Sequence, residues 1–219
     1  MKISLVDLLA GAATVPPVDL ADPVVTRLLD AALAESATVG LRRLTMDDIA
    51  RRAGVGRMTA YRRFAKRDDL VHTLVAREAL AFLTAINEAT EKAETLEEIS
   101  VETFTAATGF VRRNPLLRLV ADTDPGSFVE VVGAQGARIL RLGTEFLARQ
   151  IHGDDPGEPT AHETAVAEVC ARLFTTYVAI PLSVIDPDDE DAVRRYAREV
   201  IAPIAATGRR PPVSAVGSE

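Results

Sequence analysis

The chain is short of several things, and each shortage closes off a class of protein. With Cys170 as its only cysteine it has no internal disulfide, and the apolar residues around that thiol mark it as a small core residue suited to a reducing cytoplasm. Tryptophan is absent and aromatics make up 5% of the chain, so a core must come mainly from Leu, Val, Ile and Ala. The three histidines, His72, His152 and His162, are too scattered for a multi-histidine metal site. His162-Glu163 starts like a zinc-protease motif, but Val166 stands where the second histidine is needed. The acidic stretch Asp186 to Asp191 lacks the glycine and the glutamate of a calcium loop. Neither a glycine-rich nucleotide-binding pattern nor a Ser, His and Asp set is recognisable, so no enzyme, cofactor or metal is expected. No apolar run is long enough for a membrane span. The N-terminal MKISLVDLLAGAATV is a poor export signal, because Asp7 interrupts its apolar core and only Lys2 precedes it.

What is present is the mixture of a folded domain: 47% hydrophobic and 26% charged residues in 219. Glycine and proline clusters are few, and no run alternates β-branched with polar residues, so the expected fold is all-α. The net charge of −7 hides a division. Residues Pro23 to Arg77 hold 11 Lys and Arg against 6 Asp and Glu, a net of +5, which leaves −12 for the rest. A local basic region on an acidic body points to a nucleic-acid contact confined to one end.

The basic region contains TMDDIARRAGVGRMTAYRRF, Thr45 to Phe64, which reads as two short helices and a tight turn. Thr45 is an N-cap with Asp48 at the capping-box position, and Met46, Ile49, Ala50 and Ala53 share a face. Gly54 supplies the positive φ that ends the first helix, Val55 is an apolar plug, and Gly56 caps a second helix through Phe64. Such a pair is a helix-turn-helix, whose second helix delivers side chains to base edges in the major groove. Arg57, Met58, Thr59 and Arg62 are the candidate base readers. Thr45, Tyr61, Arg63 and Arg67 are the candidate phosphate contacts.

The order and spacing of Leu28, Leu29, Gly40-Leu41, Thr45 to Val55, Thr59-Ala60-Tyr61 and Phe64 to Leu70 resemble the DNA-binding domain of the TetR family of bacterial transcriptional regulators. Three positions depart from the family pattern: Gly56 replaces the usual Ser or Thr, Ala60 a larger apolar residue, and Arg63 a histidine. The resemblance implies a three-helix DNA-binding head and a larger helical ligand-binding and dimerisation domain. It further implies a homodimer on a palindromic operator of double-stranded DNA, and a small effector within the helical body. A repressor released by a small, largely apolar molecule is the leading reading. The alternative is a helical small-molecule-binding or protein-interaction module with a vestigial head.

Along the chain the expected divisions are an arm over residues 1–21, the helix-turn-helix domain over 22–67, the effector and dimer domain over 68–207, and a tail over 208–219. Asp22 and Pro23 open the first helix and Gly40 stops it. A helix through Leu70, Leu74, Leu80, Phe82 and Ile86 follows, and Thr95 with Glu98 forms a second capping box. Further helices are expected from Pro115 to about Asp124, from about Val131 to Ile151, and from Ala161 to about Ile185, the last being the longest apolar-rich one. Asp186 and Pro187 open a final helix through Val193, Tyr196, Val200 and Ile204. Phe104, Phe110, Leu117, Phe146, Phe174 and Tyr177 are the aromatic and apolar residues placed near an effector site.

Overall fold

A computed structural model describes residues 19–40, 43–115, 118, 140–179 and 185–209. Among them every regular element is helical, as the sequence predicts. They fall into two compact units, one of residues 19–40, 43–85, 110–115 and 118, the other of residues 86–109, 140–179 and 185–209.

In the first unit, helix α1 spans Pro23–Val39. The Asp22 carboxylate accepts a hydrogen bond from the Val24 N–H at 2.8 Å, and Pro23 starts the helix without wasting a donor. Its stripe of Val25, Leu28, Leu29, Ala31 and Ala32 is buried. Helix α2 covers Met46–Arg52 and α3 covers Arg57–Arg63. Between them, Val55 N–H reaches the Ala50 carbonyl at 2.9 Å and Gly54 N–H the Arg51 carbonyl at 3.2 Å. This pair of bonds is the Schellman arrangement, which requires a left-handed residue. Gly54 provides it with φ of 63°. Helix α4, Arg67–Thr90, sends Leu70 and Leu74 into the same core, where Phe64, Leu28, Leu29 and Ile49 are almost wholly enclosed.

This unit continues well past residue 67. Leu70 and Leu74 belong to the head core, Asn114 Nδ2 donates to Glu78 at 2.7 Å, and Phe82 meets Phe110 edge to face at 5.4 Å between centroids. The division therefore falls inside α4, between Ala85 and Ile86.

The second unit begins with the end of α4. Helix α5, Leu96–Arg113, extends into it behind the expected capping box, with Glu98 N–H on Thr95 Oγ1 at 3.1 Å and Thr95 N–H on Glu98 at 3.2 Å. Helix α6 occupies described residues 140–152, and α7 is Ala161–Ala179. A third capping box, unforeseen, opens α7: Thr160 N–H donates to Glu163 at 2.6 Å and Glu163 N–H to Thr160 Oγ1 at 3.2 Å. The final helix is α8, Glu190–Tyr196, which passes through a wide turn, Ala197–Ile201, into α9, Ala202–Ala206.

One expectation changes here. The final helix is capped by Asp189, whose side chain accepts from Ala192 N–H, and not by Asp186. Asp186 instead closes a turn on Asp188 N–H at 2.9 Å, which holds Pro187 ahead of the helix. The helix opened at Ala161 runs at least to Ala179, the last described residue before 185, and Ile185 lies in a bend. The wide turn was also unforeseen. Pro203, which has no N–H and whose ring crowds the preceding turn of a helix, follows directly, and Ala202 N–H bonds the Ala197 carbonyl five residues back. Packing also continues past residue 207. Gly208 is buried so closely that a Cβ there would lie 2.7 Å from Ile151 Cγ2, and Arg209 Nε donates to the Ile151 carbonyl at 3.0 Å. The arm up to residue 18, Leu41, Leu117, the helices expected over 119–139 and the tail from 210 lie outside the described residues.

The capping carboxylates give the fold an acid limit. The Val24 N–H holds Asp22 below the usual carboxylate range against some desolvation, with Arg63 helping. Hydrogen bonds from Thr45 lower Asp48, and backbone N–H groups of Glu94 and Thr95 lower Glu98. For Glu163, desolvation is outweighed by Thr160 and His152, and its value falls as well. A carboxyl depressed in the folded state stabilises above its unfolded pKa and ceases to do so as pH falls through the folded one. Melting temperature should thus be insensitive to these groups above about pH 5 and decline below about pH 4. Thermal scans from pH 7 to pH 3 test this, and an unchanged midpoint at pH 3 would contradict it.

Candidate nucleic-acid interface

Helix α3 has a buried side and an exposed one. Ala60 is fully enclosed in the head core and Phe64, which follows the helix, is 1% exposed. On the other side Met58 is 81% exposed, and Arg57, Tyr61 and Arg62 are exposed with it. An apolar side chain that projects so far from a helix anchored beneath it contributes nothing to the core. It is available to a partner.

The surrounding charges are arranged by short contacts. Arg57 Nη1 lies 3.0 Å from Asp47 on α2, and its Cζ stands 5.6 Å from the centre of the Tyr61 ring. Arg52 pairs with Glu35 of α1 at 2.8 Å. Arg51 pairs with Asp48. Thus α2 and α3 present arginines beside carboxylates of α1 and α2, and the exposed ridge of α3 rises among them.

Residues 28–74 match the family model described as bacterial regulatory proteins, tetR family. The head is a TetR-family DNA-binding domain. Solved structures extend the likeness over most of the chain. The TetR family repressor AlkX of a Dietzia species, implicated in biodegradation of n-alkanes, is 21% identical, with a TM-score of 0.59 over 84% of this chain and 98% of that one. The fatty acid degradation regulator FadR of Bacillus halodurans is 15% identical, with a TM-score of 0.55 over 84% and 98%. A TetR-like transcriptional regulator of a Rhodococcus species is 20% identical, with a TM-score of 0.52 over 82% and 96%. At such identities the likeness is one of fold, and the chain has the fold of a TetR-family transcriptional regulator. A search of curated proteins returned no match.

Within the TetR head, three of the expected phosphate contacts have hydrogen-bond partners in the head itself. The Thr45 hydroxyl caps α2 by accepting from Asp48 N–H at 3.2 Å, and it donates to the Asp48 carboxylate at 2.5 Å. Its proton is thereby committed beside a negative charge. Arg63 Nε is 2.6 Å from the Asp22 carboxylate, tying the end of α3 to the start of α1. Arg67 donates from Nε to the Leu44 carbonyl at 3.1 Å and from Nη1 to Asp68 at 2.8 Å. These contacts hold the start of α2, the end of α3 and the start of α4. Gly56, at the TetR position usual for Ser or Thr, caps α3 without a side-chain bond.

The TetR-type body brings only some of the expected effector residues together. Phe104 is flanked by Phe174 and Tyr177, with centroids 6.3 and 5.7 Å away. Tyr196 completes the group at 5.9 Å, and its hydroxyl touches that of Tyr177. Tyr196 is not among the expected effector residues, although its spacing from Val193 and Val200 puts it on the apolar side of its helix. Phe110 belongs to the other compact unit, against Phe82. Phe146 is half-buried on α6, outside the aromatic group, and Leu117 is outside the described residues. The Thr105 hydroxyl, next to Phe104 on α5, is buried without a hydrogen-bond partner among the described residues. Among those residues no group of three His, Cys, Asp or Glu side chains could hold a metal, and no helix is long and apolar enough to cross a membrane.

Proposed function

We propose that the chain is a homodimeric, cytoplasmic repressor that binds a palindromic operator and leaves it when a small, largely apolar molecule enters the helical body. The observation that carries the DNA half is the exposed ridge of α3, with Arg57, Met58 and Arg62 projecting from a helix whose other side is locked in the head core. Thr59, half-buried one turn from Arg62, joins them as a base reader, and Tyr61 offers its hydroxyl to phosphate. Thr45, Arg63 and Arg67 serve the interface by holding α2 and α3 in place, and reach phosphate only if their internal partners release them.

Two observations support the rest. Val169 on α7 is 49% exposed and Val200, in the wide turn after α8, is 37% exposed, and both lie in the part of the chain expected to dimerise. Apolar side chains left at the surface of that region suit contact with a second copy. The group of Phe104, Phe174, Tyr177 and Tyr196 offers an apolar site with two hydroxyls at one edge. Two proteins of this fold, AlkX and FadR, are connected with n-alkane and fatty acid degradation, which agrees with an apolar effector.

Selection of random duplex DNA by the purified full chain, followed by sequencing, tests the reading. The expected result is a palindrome with half-sites centred about 34 Å apart, or a multiple of one turn. No enrichment by folded, effector-free protein would favour a binding module with a vestigial head.

A further inference from the structure

The ion pair between Asp47 and Arg57 has no structural explanation in the head. Both side chains are largely exposed, at 50% and 67%, and a pair in that setting adds little to stability. The position of Asp47 in the first turn of α2 accounts for an acidic residue there but not for its contact with the next helix. A negative charge on a surface meant for phosphate also works against binding. Its partner is the first residue of the reading helix, and that guanidinium also stands 5.6 Å from the centre of the Tyr61 ring.

These contacts constrain Arg57 from two directions. Asp47 engages Nη1 and the Tyr61 ring limits swing of the planar group, which leaves Nε and Nη2 outside the ion pair. A long side chain so restrained loses less rotamer freedom on forming two parallel hydrogen bonds, the pattern by which arginine takes O6 and N7 of guanine. Asp47 also cancels the charge that would draw Arg57 to any phosphate. The pair then contributes little to binding at random sequence while retaining the donors that recognise a base.

We infer that Asp47 is a specificity-determining residue of the head, which positions Arg57 for a guanine and suppresses its attraction to the DNA backbone. The inference rests on the reading of α3 as the base-reading helix. It predicts that removing the acid improves non-specific binding and degrades discrimination together.

The test uses the full chain as wild type, Asp47→Asn, Arg57→Ala and Glu35→Gln. Glu35 pairs with Arg52 at 2.8 Å, so its neutralisation changes the head by the same single charge without touching Arg57. Each protein is titrated with the selected duplex, with duplexes carrying single guanine replacements, and with an unrelated duplex, at two salt concentrations. At the guanine whose replacement Arg57→Ala tolerates, wild type should lose about 10- to 100-fold in affinity. Asp47→Asn should lose no more than about 3-fold there and should bind the unrelated duplex more tightly, with a steeper salt dependence. Glu35→Gln should also bind the unrelated duplex more tightly but retain the wild-type discrimination. If Asp47→Asn behaves as Glu35→Gln does, Asp47 acts through net charge alone and the inference is overturned. Sharper guanine discrimination in Asp47→Asn would overturn it too, by showing that the acid masks Arg57. A selected motif with no Arg57-dependent guanine removes the inference but leaves DNA reading intact, whereas no selected motif at all removes both.

Discussion

Phe64→Ala should destabilise the head by about 3–5 kcal/mol, the range for removing a fully buried aromatic ring. Phe64 is 1% exposed and packs in one core with residues from α1, α2, α3 and α4, among them Leu28, Ile49, Ala60 and Leu70. With domain stabilities of roughly 5–15 kcal/mol, such a loss populates an unfolded head near physiological temperature. DNA binding should fail with it, because α3 is held in place chiefly through this core. Met58→Ala provides the contrast. Its side chain is 81% exposed, so stability should stay within about 0.5 kcal/mol of wild type while sequence preference shifts. Denaturant unfolding and DNA titration of both variants give the two readouts. A Phe64→Ala protein within about 0.5 kcal/mol of wild type would show that the core tolerates the void, and the packing account would fail.

Phe104→Ala should cost a similar amount, about 3–5 kcal/mol, in the second unit. Phe104 is 4% exposed and is the ring that Phe174, Tyr177 and Tyr196 all approach. Edge-to-face pairs add about 0.5–1.5 kcal/mol each beyond the area they bury, so truncation removes several favourable contacts at once. It also leaves an apolar space. Voids of that kind stay dry and accept benzene-like molecules, so benzene or toluene should raise the melting temperature of Phe104→Ala and leave wild type unchanged. Equal responses from the two proteins would mean that no ring-sized space had formed. The same variant bears on the proposed effector site, since a molecule that binds there should lose its effect when Phe104 is removed.

How far these sites were readable from sequence depended on distance along the chain. Asp22 and Pro23, Thr45 and Asp48, Gly54, and Thr95 with Glu98 were all legible, because a cap or turn is settled within about one helical turn. Where several candidates sit together the local signal is ambiguous. Asp186, Asp188 and Asp189 could each cap the last helix, and Asp189 does so in the register that buries Val193 and Ala197. Pro203 lies inside the helix expected through Ile204, and the widening before it was not read from the sequence.

The sequence by itself determined the all-helical class, the helix-turn-helix with its turn glycine, the confinement of basic charge to one end, and the TetR-family head. These follow from apolar spacing, caps and charge, which act locally or sum over composition. Tertiary structure alone decided which carboxylates the arginines meet. Arg63 goes to Asp22, 41 residues away, Arg52 to Glu35, and Arg57 to Asp47, while Met58 is left bare. It also decided that Phe104 meets Tyr196 while Phe110 meets Phe82. Such pairings depend on how each helix is rotated against its neighbours, and rotation is set by the packing of the whole core, which no short stretch of sequence contains.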